Sequence, residues 1–208
     1  MKLNSSLAQV LAPAYGPCPG FAGPCKKLRW DPKRGHVPRG FLGAAGSLKE
    51  IELVLVFAEP GDPHSGESHD GLNSAYKYAT NAFATGKDKI HKNVCRILKA
   101  CWPDLSFEEQ LKKVWMTESV LCSAKKEGGY VPVAIEQECG TRYLFPQLRL
   151  LSHAFVVALG KKAERRLQKV GFTDFLFVFA VAPPKSNTKE ARESWDRIPV
   201  ELRRKRTR

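Results

Sequence analysis

The stretch IELVLVFAEPGDPHSGE, residues 51–67, decides the fold class. Its first eight residues form an almost continuous apolar run of strand length. A run without alternation suits a strand covered on both faces, as in a parallel sheet flanked by helices. The run stops at a stiff polar turn of Glu59, Pro60, Gly61, Asp62, Pro63 and His64. Further along, residues 72–100 read as helical, with Ile90, Val94, Ile97 and Leu98 on one stripe. Ser106 and Glu109 form a capping box that opens another helix. VWMTESVLC (114–122) is a second strand, and IEQECGTRYLFPQLRLL a helix bent or interrupted near Pro146. HAFVVAL (153–159) is a third strand, followed by Gly160 and the helix KKAERRLQKV. FLFVFAVA (175–182) is a fourth, and TKEARESWDRI a closing helix.

Strands alternating with helices predict an α/β fold, a three-layer α/β/α sandwich around a central parallel sheet of about four strands. Residues 1–46, rich in Pro and Gly, read as an irregular arm packed on a body of residues 47–200. Residues 201–208 read as a mobile basic tail. Ligands of such sheets bind beyond the carboxyl ends of the strands. That expectation gathers Glu59, residues 118–122, Gly160 and residues 183–187 around one cleft.

The 208 residues suit one compact domain, and 43% hydrophobic content is ordinary for a globular chain. Thirty-four basic against 21 acidic residues leave a formal charge of +13. Such an excess favours polyanions, nucleic acid first and an anionic membrane surface second. No apolar run approaches the roughly 18 residues of a spanning helix, and the N-terminus is a poor secretory signal. A cytoplasmic location is the default expectation, with no membrane partner. Six cysteines there are thiols or metal ligands rather than disulfides.

Several strand ends together resemble the uracil-DNA glycosylase superfamily. VFAEPGDPH is similar to its first motif, GQDPY in the common uracil enzymes and GEAPG in the iron–sulfur branch. WMTESVLC is similar to TNVVKC of that branch. CGTRYLFPQLRLLSHAFVVALGKKA follows the pattern of a cysteine helix leading to a strand that ends in LG and A. APPKSNTKEARESW is similar to the HPSPRN…W stretch of the single-strand-selective enzymes. The resemblance spans roughly residues 15–198. It implies a monomer that binds single- or double-stranded DNA, flips a damaged or modified base and hydrolyses its N-glycosidic bond. It also implies a 4Fe–4S cluster on Cys18, Cys25, Cys122 and Cys139. Cys122 and Cys139 stand 17 residues apart, close to the family pattern, whereas Cys18 and Cys25 stand seven apart, looser than the usual C-x-x-C. Four thiolates can hold such a cluster. They suit zinc equally, and buried thiols need no metal. Cys95 and Cys101 read as core.

Matching the prolines puts Glu59 where the common enzymes carry their catalytic Asp. A carboxylate there orients water and stabilises the cationic sugar. Asp62 and His64, in the same loop, are further catalytic candidates. A metal-dependent nucleotide enzyme using Asp62, His64 and His69 is a more distant alternative. Two departures stand out. Ala182 replaces the family His that stabilises the leaving base, which leaves room for a catalytically inactive nucleic-acid-binding relative. Glu118 replaces the Asn that reads uracil; a carboxylate only accepts hydrogen bonds, so it is expected to pair with two adjacent donors on a base. Ala58 and Tyr76, the latter as aromatic platform, complete the expected base pocket together with Asn187. Lys185, Ser186 and Lys161 are expected on the nucleic-acid backbone.

Overall fold

The computed structural model describes residues 2–16 and 18–206, without the side chains of Lys27 and Lys185. It is a three-layer α/β/α sandwich about a five-stranded, mostly parallel sheet of order β1-β3-β2-β4-β5. The central strand β2 (Leu53–Phe57) pairs in parallel with β3 (Val114–Glu118) and β4 (Phe155–Leu159). All five β2 residues are buried, which is why the run shows no alternation. The edge strand β5 is only Leu176–Val178, shorter than the apolar run around it.

The fifth strand comes from the N-terminal arm. There β1 (Leu42–Gly43) pairs antiparallel with β3. Gly43 carries φ +100°, and a Cβ on it would collide with the Val114 carbonyl oxygen, so this close strand approach requires glycine. The arm also forms helix α1 (Ser5–Leu11), capped by Asn4 and anchored by fully buried Leu7 and Leu11. It is thus part of the core, and less irregular than its composition suggests.

Residues 72–100 divide into α2 (Leu72–Thr85) and α3 (Lys89–Cys101), broken at Gly86 in the left-handed conformation. Helix α4 (Phe107–Lys113) starts with the expected Ser106–Glu109 capping box. Helix α5 (Val133–Cys139) runs through a π-helical turn, Gly140–Leu144, into α6 (Phe145–Leu150). The wider turn falls just before Pro146, which has no N–H to give to a regular ladder. After β4 comes α7 (Lys161–Lys169), and α8 (Lys189–Arg206) closes the chain.

Helix α3 packs on α2, α4 and α8, while α5 packs on α7 and α1 on α6. The described part of the expected basic tail is the end of α8, held by Arg206 to Glu52 and by Lys205 Nζ donating to the Ala154 carbonyl at 3.2 Å. Two charged contacts explain why it is helical rather than loose; Thr207 and Arg208 lie outside the described residues. Among the described residues no helix is long and apolar enough to cross a membrane.

Candidate functional site

A cavity of about 180 Å³ opens at the carboxyl ends of β2 and β3, lined by Phe57 and Glu118 from those strands. For scale, a cavity of about 150 Å³ holds one benzene ring. The loop after β2 supplies Asp62, His64, Glu67 and His69. Helix α2 adds Tyr78 and Phe83, the start of α3 adds His91, and Arg39 comes from the arm.

Glu118 is the last residue of β3, level with Phe57 in register. It is only 8% exposed, and its Oε2 is buried without a hydrogen-bond partner. Burial pushes its carboxyl well above the usual carboxylate range. The neighbouring charge of Glu59 pushes the same way, and Arg166 and Arg39 only partly oppose it. Gly40, at φ +82°, lies against this carboxyl; a Cβ there would sit 2.5 Å from Glu118 Cγ.

Glu67 behaves oppositely. Burial alone would raise its pKa, but the His69 ring nitrogen at 2.8 Å, the His64 backbone N–H at 2.9 Å and the Arg39 charge together hold it down to about 2. His64 sits at the cavity mouth, 39% exposed. Its Nδ1 pairs with the Tyr78 hydroxyl at 3.0 Å, and its Nε2 lies 3.6 Å from Asp88 Oδ2. His91 Nδ1 lies 2.8 Å from Asp88 Oδ1, within ion-pair distance but outside hydrogen-bond geometry. Burial lowers the His91 pKa against the pull of Asp88. Asp62 is exposed at the same mouth.

Glu59 does not line this cavity. One of its oxygens meets Lys162, and the other accepts from Arg166 Nη1 at 2.6 Å. Arg166 also donates to the Ala58 carbonyl at 2.7 Å and to Glu136 at 2.9 Å. Glu136 is further paired with Arg165 and Lys169. Residues 162, 165, 166 and 169 share one face of α7 because they recur at helical spacing. The expectation that prolines hold Glu59 toward a ligand therefore meets a different arrangement, in which α7 cations take both its oxygens. Ala58 likewise spends its carbonyl on Arg166, the Val120 N–H and the Ser119 hydroxyl.

Other expected residues lie elsewhere. Tyr76 is core, its hydroxyl donating to the Gly43 carbonyl at 2.9 Å. The aromatic groups on the cavity are Phe57, Tyr78 and Phe83. Asn187 is exposed and accepts from Lys89 at 3.1 Å. Ser186 is buried with its hydroxyl unpartnered. Lys161 donates to Glu164 and rests 4.1 Å over the Phe177 ring. The side chain of Lys185 lies outside the described residues. Arg39, Glu67, Tyr78, Asp88 and His91 were not singled out from the sequence. The alternating acid and imidazole of Glu67 and His69 was the available signal.

The four cysteines implied by the resemblance line one small apolar pocket with Phe21, Leu28, Val120 and Ile135. Cys18 and Cys25 come from successive turns of the arm, Cys122 from the chain after β3, and Cys139 from the end of α5. Cys18 Sγ is 3.0 Å from the Tyr143 hydroxyl, and the Leu121 N–H donates to Cys139 Sγ at 3.3 Å. A Cβ on Gly20 would lie 2.9 Å from Cys25 Sγ, so the arm closes on its thiols only with glycine there. Burial, then the neighbouring Cys18 and Glu138, pushes Cys25 up to about 11. Burial, relieved in part by the Leu121 N–H, puts Cys139 at about 12, and Cys122 is raised well above its ordinary value. Among the described residues no three His, Cys, Asp or Glu side chains converge tightly enough to hold a single metal ion. Cys95 and Cys101 lie apart on α3. No protein-family model matches the chain, and no curated protein matches it.

Proposed function

We propose that this protein is a DNA glycosylase-like hydrolase of the uracil-DNA glycosylase type, which takes one flipped base into the cavity and cleaves its N-glycosidic bond. The observation that carries the reading is a ring-sized cavity at the strand ends, with the buried carboxyl of Glu118 in its wall and Asp62 and His64 at its mouth. The excess of positive charge adds an attraction for the DNA backbone.

Asp62 takes the role of water activator here, because it faces the cavity and Glu59 does not. Water adds its oxygen to C1′, one of its protons passes to Asp62, and the base departs with the electrons of the broken C1′–N bond. The carboxylate also stabilises the cationic sugar as that bond breaks. His64, braced by Tyr78 and near Asp88, positions the water. Glu59 holds α7 to the end of β2.

A 4Fe–4S cluster fits the donor set of Cys18, Cys25, Cys122 and Cys139. Four buried thiols whose charged forms repel one another become compatible thiolates only around a cationic centre. When bound, the cluster ties the arm to the body.

Oligonucleotides carrying single modified bases, in single strands and duplexes, test the reading. Abasic product is expected, falling about 10²–10⁴-fold in Asp62→Asn. The Ala182 substitution and the occupied oxygens of Glu59 favour a second reading, binding without cleavage. Tight DNA binding with no abasic product from any base would establish that one. For either, affinity should fall at least about 10²-fold between 50 and 200 mM salt, given about five phosphate contacts. A flat salt response would remove nucleic acid as the partner.

A further inference from the structure

Glu118 is a buried acid without a counter-charge, and its surroundings explain why. The two cations that act on it make their hydrogen bonds to other groups. Arg39 donates to the Gly35 and Gly61 carbonyls and lies 3.5 Å from Glu67. Arg166 gives its Nε and Nη1 to Glu136, Glu59, the Ala58 carbonyl and Ser119, and its Nη2 is buried without making a bond to Glu118. The other charged group acting on it is Glu59, of like sign. Elsewhere on the cavity wall, Glu67 meets His69 Nε2 at 2.8 Å, His64 and His91 both lie beside Asp88, and Asp62 and Glu127 add only negative charge. An ionised carboxyl in that place would carry an unpaired charge out of water, so the neutral form is the one the fold accommodates.

We propose that Glu118 works as a neutral acid: its O–H donates to a ring carbonyl of the flipped base, and its C=O accepts from the adjacent ring N–H. The inference rests on the glycosylase reading for its ligand. It reverses what a carboxylate in this position would select. A carboxylate pairs with two adjacent donors, whereas a neutral acid carries one donor and one acceptor. Hydrogen bonding alone also admits the nitrogen and amino edge of cytosine or adenine. The chemistry selects the lactam edge of uracil or hypoxanthine. A base leaving with the glycosidic electron pair places negative charge on its carbonyl oxygen, where the O–H bond strengthens as the charge develops. Glu118 thereby takes over leaving-group stabilisation from the position occupied by Ala182, and the released base collects its proton from solvent.

Function then requires protonated Glu118, so base binding is present at low pH and is lost as pH rises through its raised pKa, and cleavage shares that alkaline loss. Stability has the same sign. A carboxyl whose folded pKa lies above its unfolded value stabilises the fold below the unfolded value and loses that contribution as pH rises through the folded one. The wild type should therefore lose Tm relative to Glu118→Gln with rising pH.

The test is carbon-13 NMR of the Glu118 carboxyl, assigned by difference with Glu118→Gln, with free uracil as the probe. Cleavage of uracil and hypoxanthine oligonucleotides by the same variants accompanies it. Expected are a neutral carboxyl at pH 7 that shifts with uracil and an alkaline limb absent from Glu118→Gln. Cleavage should remain within about tenfold in Glu118→Gln and fall about 10²–10³-fold in Glu118→Ala. An ionised carboxyl at pH 7, or identical pH profiles for wild type and Glu118→Gln, overturns the inference whatever the enzyme cleaves. A neutral, uracil-responsive carboxyl in a protein that cleaves nothing upholds the base reading and defeats only the hydrolase.

Discussion

Arg166→Leu is expected to destabilise the fold by about 3–5 kcal/mol, the usual cost of removing one partner from a buried ion pair. The guanidinium is 2% exposed and Glu136 fully buried, so neither charge has water to fall back on. Arg166 joins the end of β2, through Ala58 and Glu59, to α5, through Glu136, and touches Ser119 after β3. Leucine would leave Glu59 with Lys162, and Glu136 with Arg165 and Lys169, whose ammonium and guanidinium groups are a third to a half exposed and more easily drawn into water. For a chain of this length, about 2–4 °C of Tm per kcal/mol translates the loss into a fall of roughly 6–20 °C.

The pH response checks the same network. Burial alone would raise the Glu136 pKa, but hydrogen bonds from Lys169 and Arg166 hold it below the usual value. Its stabilising contribution is therefore present above the ordinary carboxylate pKa and is lost as pH falls through the lowered one. Arg166→Leu should flatten that acid limb of the Tm profile. An unchanged Tm would show that the network contributes little beyond what packing supplies.

The legibility of the chain follows from where periodicity exists. Strands β2, β3 and β4 were readable because their residues are buried on both faces and so run unbroken. The capping box of Ser106 and Glu109 was readable because it is a local exchange of hydrogen bonds. Helix α7 was readable too, but not the role of its basic face, since Lys162, Arg165, Arg166 and Lys169 look like an ordinary solvated face until Glu59 and Glu136 arrive from distant segments. The choice between Glu59 and Asp62 is of the same kind. Three residues apart in a Pro- and Gly-rich loop, they obey no repeat that says which one turns to the cavity. Tyr76 and Tyr78, two positions apart on α2, must face different ways. Only the packing of α2 over β1 and the cavity decides which is core. The contribution of β1 was hidden because two residues are too few to make a pattern.

Cys122→Ala is expected to produce colourless protein lacking iron, with the arm of residues 1–46 loosened. Cys122 closes the short segment after β3, where the Leu121 carbonyl accepts from the Arg39 N–H at 3.0 Å and the Val120 N–H donates to the Ala58 carbonyl at 3.0 Å. The arm meets the sheet at this point. Its Pro- and Gly-rich turns at 19–22 and 24–27 bury little apart from their cysteines and Leu28, so they gain little to offset the entropy of ordering. A metal centre bound to four thiolates would supply that difference, because its binding energy is folding energy. Wild type purified without air should be brown and carry about four irons per chain. Cys95→Ala, on α3 and away from the pocket of the four cysteines, should keep both colour and iron, which separates loss of a ligand from general damage. Zinc in place of iron would leave the tie intact and change its chemistry. A metal-free wild type with a protected arm would instead show that the four thiols pack as neutral groups, as the raised pKa values of Cys25, Cys122 and Cys139 allow.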